Sequence, residues 1–295
     1  MKKISSFFLS VVFLALLTAC SPKDTPPAPP PENHQSHENT NHSEGTNTHV
    51  EQKDSHGGHS DHGEQKAEIK TEAIWNLENG KAKEKSIIQI QVQNEQGESI
   101  EKFDINHEKQ MHLILVSKDL SYFNHIHPEY QQGGQFQVQN EFPTGGEYMA
   151  FADYIPTNGT QQVKSKWLEI EGDSPSEVPL QADSNLTKVV DGKEVTLSFD
   201  NLKPNQDVTM TFMINDAENK QPITNLEPYL GAVGHVVALD RNVETYLHVH
   251  PIDEHAKGPD AKFMTSFPSS GIYKIWGQFQ HEGKVFTVPF VIEVP

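Results

Sequence analysis

Cysteine and arginine are almost missing from this sequence. Cys20 is the only cysteine and Arg241 the only arginine in 295 residues. One cysteine forms no internal disulfide, and at position 20 it is the residue a lipid would take. Any metal site must then use His, Asp, Glu, Met or backbone oxygen. Positive charge is scarce as well: Lys and Arg total 23 against 41 Asp and Glu, a formal net charge of −18. An acidic chain without a basic cluster is a poor nucleic-acid binder, because phosphate contacts need Lys and Arg patches. No stretch of helical period reaches the length of a helix. The longest apolar run, from Ile4 to Leu17, falls short of the roughly 20 residues that span a bilayer.

What is present begins with that run. Lys2 and Lys3 precede it and LTAC, residues 17–20, closes it. This reads as a secretory signal over residues 1–19 ending in a lipobox, with Cys20 as the lipidated residue. The expected location is the extracytoplasmic face of a cell membrane. Residues 20–72 hold few apolar side chains. A proline-rich spacer leads into a tract carrying His34, His37, His42, His49, His56, His59 and His62. Such composition predicts a disordered tether that captures metal loosely and multivalently.

From residue 73 the pattern changes to short runs alternating apolar and polar residues, punctuated by Gly, Pro and Asn. IIQIQVQ (87–93), MHLILVS (111–117), EYMAFADY (147–154) and KSKWLEI (164–170) are examples. The order then repeats. MHLILVSKDLSYFNHIHP (111–128) aligns without a gap on GHVVALDRNVETYLHVHP (234–251). FPTGGEYMAFADY (142–154) aligns likewise on FPSSGIYKIWGQF (267–279). The chain therefore reads as all-β, with two tandem duplicated sandwich domains over residues 73–172 and 183–295. Each has roughly seven strands, an immunoglobulin-like or cupredoxin-like count.

The chemistry sits in the repeated histidines. Residues i and i+2 of a strand share a face, so His125 projects with His127, and His248 with His250. His112 and His235 each lie thirteen residues upstream. A hairpin centred between Lys118 and Asp119 sets His112 opposite His125, and the same centring in the second copy sets His235 opposite His248. Three imidazoles would then converge in each copy, over a floor of Ile114 and Phe123 or of Val237 and Tyr246. A lone strand histidine is more often structural, but here the same spacing occurs twice. Met111 reads as core. Asp153, mismatched with Gln278 in the other copy, reads as a supporting or surface residue. His107, His255 and His281 have no counterpart and read as loop residues.

EPYLGAVGHVVALDRNVETYLHVHP (227–251) resembles a family of uncharacterised bacterial secreted or membrane-anchored proteins. They pair a glycine-histidine strand with a histidine-x-histidine-proline strand. The resemblance covers most of residues 85–294, although copy one has Met111-His112 in place of Gly-His. Some members carry heavy-metal-associated domains, so the resemblance implies a connection with copper handling.

The expected function is binding of transition-metal ions outside the cytoplasm, for tolerance or delivery. Copper is favoured and zinc is next, because imidazole ligation suits both and the affinity order favours Cu(II). The expected partners are the ions, the membrane through Cys20, and an unidentified transporter or metalloprotein. Two alternatives stand beside it. One is a structural or adhesive surface sandwich whose histidines bond internally. The other is a zinc-dependent hydrolase, against which stands the lack of a carboxylate at matching spacing in both copies. The chain does not read as an enzyme.

Overall fold

The computed structural model describes residues 69–176 and 178–295; the leader, Cys20 and the seven tract histidines lie outside them. The described residues form strands and turns. In the first half these are β1 (Thr71–Glu78), β2 (Lys85–Asn94), β3 (Phe103–Asp104), β4 (Met111–Ser117), β5 (Phe123–Ile126), β6 (Glu129–Gln132), β7 (Gln135–Glu141), β8 (Gly146–Pro156) and β9 (Gln162–Ile170). The second half contains β10 (Thr187–Val190), β11 (Lys193–Phe199), β12 (Asp207–Asp216), β13 (His235–Asp240), β14 (Tyr246–Pro251), β15 (Asp260–Ser266), β16 (Gly271–His281) and β17 (Lys284–Val294). The first strand begins at Thr71, inside the stretch read from sequence as tether.

Each half is a sandwich. In the first, β1-β2-β7-β6 faces a sheet in which β8 pairs β3, β4 and β9, and β4 pairs β5. In the second, β11-β12-β15 faces β14-β13-β16-β17, with β10 added beside β11. Alternation builds the cores. Ile88, Ile90 and Val92 of β2 point inward against Leu113, Leu115, Ala150 and Ala152. Val208, Met210, Phe212 and Ile214 of β12 do the same against Val236, Ala238, Ile275 and Phe279.

The strand order and one side chain in each half distinguish the immunoglobulin-like arrangement from the cupredoxin-like one. Tyr148, near the start of β8, donates its hydroxyl to the carbonyl of Thr144 at 2.9 Å. Tyr273, near the start of β16, donates to the carbonyl of Ser269 at 3.1 Å. This is the tyrosine corner of immunoglobulin-like sandwiches, and it accounts for the repeated FP-x-x-G-x-Y.

Two details differ from the sequence reading. The β4–β5 ladder pairs Ile114 with His125 and Leu113 with Ile126, two residues away from the expected register. The loop is longer than a two-residue turn: Ser117 N bonds Tyr122 O, and Leu120 at φ 60° turns the chain, its N bonding Ser117 O. The second half matches, with Val237 paired to His248 and Val243 at φ 61°. Because the shift is even, every histidine keeps its face. The ladders end at Leu113–Ile126 and at Val236–Val249, one residue short of His112 and His127 and of His235 and His250. The second difference is at the prolines. Pro128 follows the end of β5, but β14 runs through Pro251, which pairs Phe263 of β15 and joins the two sheets of the second half.

The halves meet through their β4 and β13 sheets. On β4, Met111, Leu113 and Leu115 face the core of their own half, while Ile114 and Val116 face the other half. They pack with Met149, Phe151, Val237, Leu239, Val243 and Trp276 in a third apolar cluster. Contacts across it are reciprocal. Phe123 stacks on Trp276 with centroids 4.7 Å apart, and Tyr246, which aligns with Phe123, stacks on Phe151, which aligns with Trp276, also at 4.7 Å. Residue i meeting j while j's equivalent meets i's equivalent is the signature of two-fold symmetry. The halves are thus related by an approximate dyad within one chain.

Candidate metal centre

The histidine faces of β4 and β13 point into this same seam, at one end of the apolar cluster. The six repeated histidines therefore do not form two remote sites, one per sandwich. They lie together: His112 is 6.0 Å from His235 and 5.6 Å from His248, and His125 is 5.8 Å from His235, centroid to centroid. Met111 is core as read, on the opposite face.

Within the cluster, His112, His125 and His127 form the tightest group. They offer ligand atoms that all lie within 4.8 Å of one another. Their ring centroids are 5.2, 5.1 and 4.8 Å apart. Rings bound to one tetrahedral ion through bonds of about 2.0–2.1 Å would have centroids about 5 Å apart. His235, His248 and His250 are disposed differently: His248 and His250 lie stacked, 5.3 Å apart and 28° from parallel.

Proton bookkeeping sharpens the first group. His112 Nε2 lies 2.9 Å from the carbonyl oxygen of Asn106, which only accepts, so the ring proton sits on Nε2. His125 Nδ1 lies 2.7 Å from Gln278 Oε1, and the Gln278 amide nitrogen donates to Thr287 Oγ1 at 3.1 Å. With the Gln278 amide oriented in this way, the His125 proton sits on Nδ1. His112 Nδ1 and His125 Nε2 are left bare, facing each other at 2.9 Å. Two lone pairs so placed repel unless a cation stands between them. The third member, His127, has a buried Nε2 with no hydrogen-bond partner.

A proton is a poor candidate for that cation. Burial strips solvent from the imidazolium forms, and neighbouring rings repel added charge. These causes hold His107 and His112 at about 4, His127 at about 3 and His235 at about 2, with His125 well below the ordinary range and His250 also lowered. His112, His125 and His127 are thus neutral imidazoles at neutral pH, the form that ligates metals.

Asp153 and Gln278 are cross-strand partners of His112 and His235 respectively. Each nevertheless serves the opposite half. Gln278 holds His125, and Asp153 Oδ2 accepts from His248 Nδ1 at 2.8 Å. Asp153 is buried, only 1% exposed, and Gln161 Nε2 donates to both its oxygens. It is a supporting residue in the interior, not a surface one. A carboxylate on one imidazole nitrogen fixes the ring and leaves the other nitrogen free.

His107, read from sequence as a loop residue, belongs to the cluster. Its turn, Asn106 to Lys109, carries it at φ 46° to within 4.8 Å of His235, 5.2 Å of His250 and 5.9 Å of His248. Its counterpart in the second half is Leu230, at φ 53°. His281 closes β16 and bonds Asn225, and His255 lies exposed in a turn; neither joins the centre.

A family model described as a domain of unknown function, DUF8832, matches residues 67–172 and again 188–295. No curated protein matches the chain. Among solved structures, the Escherichia coli adhesin FdeC is 14% identical over 76% of this chain and 64% of its own, with a TM-score of 0.26. Invasin, a bacterial integrin-binding protein, is 12% identical over 75% of this chain and 39% of its own, with a TM-score of 0.21. A two-domain fibronectin type-III segment of chicken tenascin is 10% identical over 76% and 99%, with a TM-score of 0.22. The chain thus spans less than two thirds of the first two. Similarity this low does not decide function.

Proposed function

The chain belongs to DUF8832, and from its own side chains we propose that it is a metal-binding module whose primary ligands are His112, His125 and His127. The observation that carries this reading is the pair of bare nitrogens at 2.9 Å, backed by the unpartnered His127 Nε2. Copper is the favoured ion and zinc the next: neutral imidazoles suit both, and Cu(II) stands higher in the affinity order. The reading extends to the rest of the sequence. Lipid on Cys20 would hold the chain at the outer face of a membrane, and the seven tract histidines would collect ions for the centre. Tolerance or delivery is the corresponding role, with a transporter or metalloprotein as the recipient. Binding fits better than catalysis, because Asp153 already has both oxygens engaged and is a poor general base.

The second reading is a structural or adhesive surface sandwich. FdeC is an adhesin and invasin binds integrin. Here it is favoured by the extent to which His112, His125 and His248 are already bonded within the protein. Titration calorimetry with Cu(II) and with Zn(II) separates the two. The sample is the full chain with the seven tract histidines changed to asparagine, beside the same chain carrying His127→Ala. Metal uptake by the first, with affinity lowered at least 100-fold in the second, supports the metal reading. No uptake of either ion leaves the structural reading.

A further inference from the structure

His107, His235, His248 and His250 are not used by the primary ligand group, yet they lie against it. Three belong to the second half, and His107 is supplied by the first. His107 lies nearest His235, at 4.8 Å, with His250 at 5.2 Å and His248 at 5.9 Å; His235 and His248 are also 5.9 Å apart. Asp153, again from the first half, holds His248 through Nδ1 and so leaves its Nε2 bare. His235 is 2% exposed and its Nε2 makes no well-formed hydrogen bond, the backbone of Leu230 giving the ring only a weak one. A buried nitrogen so poorly partnered is costly unless something fills its coordination.

We propose that these residues form a second ion position, for Cu(II) or Zn(II), assembled from both halves: His235 and His248 as ligands, His107 as the third, and His250 at the outer lip. The second half lacks this third ligand because Leu230 stands where the first half has His107. Closing on the ion needs His107 to turn its ring inward and His235 to draw nearer His248 from 5.9 Å, while Asp153 keeps its hold on His248 Nδ1. Centroid separations of 5.6–6.0 Å between the groups place the two ions side by side in one seam. The proposal rests on the metal-binding reading of the first group and adds a second ion and its cross-half ligand.

The test is ion stoichiometry in the full chain whose tract histidines are asparagine, loaded with Cu(II) and then freed of unbound ion. His107→Leu is the informative variant, since leucine already occupies the equivalent backbone position at Leu230 with φ 53°. Two coppers per chain are expected in the parent, with a half-field resonance in the electron paramagnetic resonance spectrum from the coupled pair. His107→Leu should hold one copper and lose that resonance, with its melting temperature in metal-free buffer unchanged. One copper in both proteins would overturn the second position while leaving the first. Loss of both coppers in His107→Leu at an unchanged melting temperature would mean one shared ion, which also overturns it. No copper in the parent would refute the metal-binding reading itself.

Discussion

At the scale of single residues, the centre turns on where two protons sit. The carbonyl of Asn106 fixes one on His112 Nε2, and the side-chain oxygen of Gln278 fixes the other on His125 Nδ1. Nitrogen-15 chemical shifts of the metal-free protein should therefore report His112 as the Nε2–H tautomer and His125 as the Nδ1–H tautomer. Finding His125 protonated at Nε2 instead would mean the Gln278 amide is turned over and the rings share an ordinary hydrogen bond. The sequence showed which histidines share a face, because strand alternation survives an even shift of register. It did not show the contributions of Asp153 and Gln278. Compared within the repeat they look like a mismatch, since each works for the half it does not belong to. His107 was hidden for a related reason: its counterpart in the second copy is Leu230, so the repeat does not mark it.

At the scale of strands and turns, most of the architecture was legible. Alternating runs gave the strands, and gap-free blocks gave the repeat. FP-x-x-G-x-Y was visible as a motif, and the structure supplies its reason in the hydroxyls of Tyr148 and Tyr273. Tyr148→Phe and Tyr273→Phe should each lower stability by about 1 kcal/mol, the usual net worth of one such bond. The two losses should add in urea denaturation, because the corners lie in separate sandwiches. The hairpin centre was not legible, because Leu120 and Val243 adopt positive φ without being glycine or asparagine. Both side chains are buried in the apolar cluster between the halves, which supplies a reason for that conformation. The stacked pairs offer a sharper probe of the same cluster. Trp276→Ala, which removes the ring under Phe123, should cost about 3–5 kcal/mol as a large core truncation. It should weaken copper uptake as well, since Gln278 lies on the same strand and face. A stability loss below about 1 kcal/mol in urea would show that the halves do not depend on this contact.

For the molecule as a whole, acid is the natural perturbant. His107, His112, His125, His127, His235 and His250 are all less basic in the folded chain than the ordinary value of 6.5. Above that value neither the folded nor the unfolded state binds these protons, and stability is independent of them. As the pH falls below about 6.5, the unfolded chain takes them up while the folded chain does not, so stability declines. The decline should begin near pH 6.5, ease near pH 4 as His107 and His112 take up protons in the folded chain, and continue to about pH 3 for His127 and about pH 2 for His235. Melting temperature against pH would show it, and His235→Phe should make the slope shallower; an unchanged slope would place the acid sensitivity elsewhere. The apolar runs MHLILV and HVVAL carry the trace of this seam in the sequence, since they offer hydrophobic residues to both faces of a strand. Such runs mark a sheet covered on both sides without saying what covers it.

A pair of identical subunits meeting about a dyad must spend the same amino acid at both copies of every position. Here the partners are joined in one chain, and that restriction is gone. Aspartate can stand at 153 while glutamine stands at 278, and histidine at 107 while leucine stands at 230. Fusion turns a symmetric contact into a pocket with two unlike walls, so its two ends need not prefer the same ion or release it equally fast.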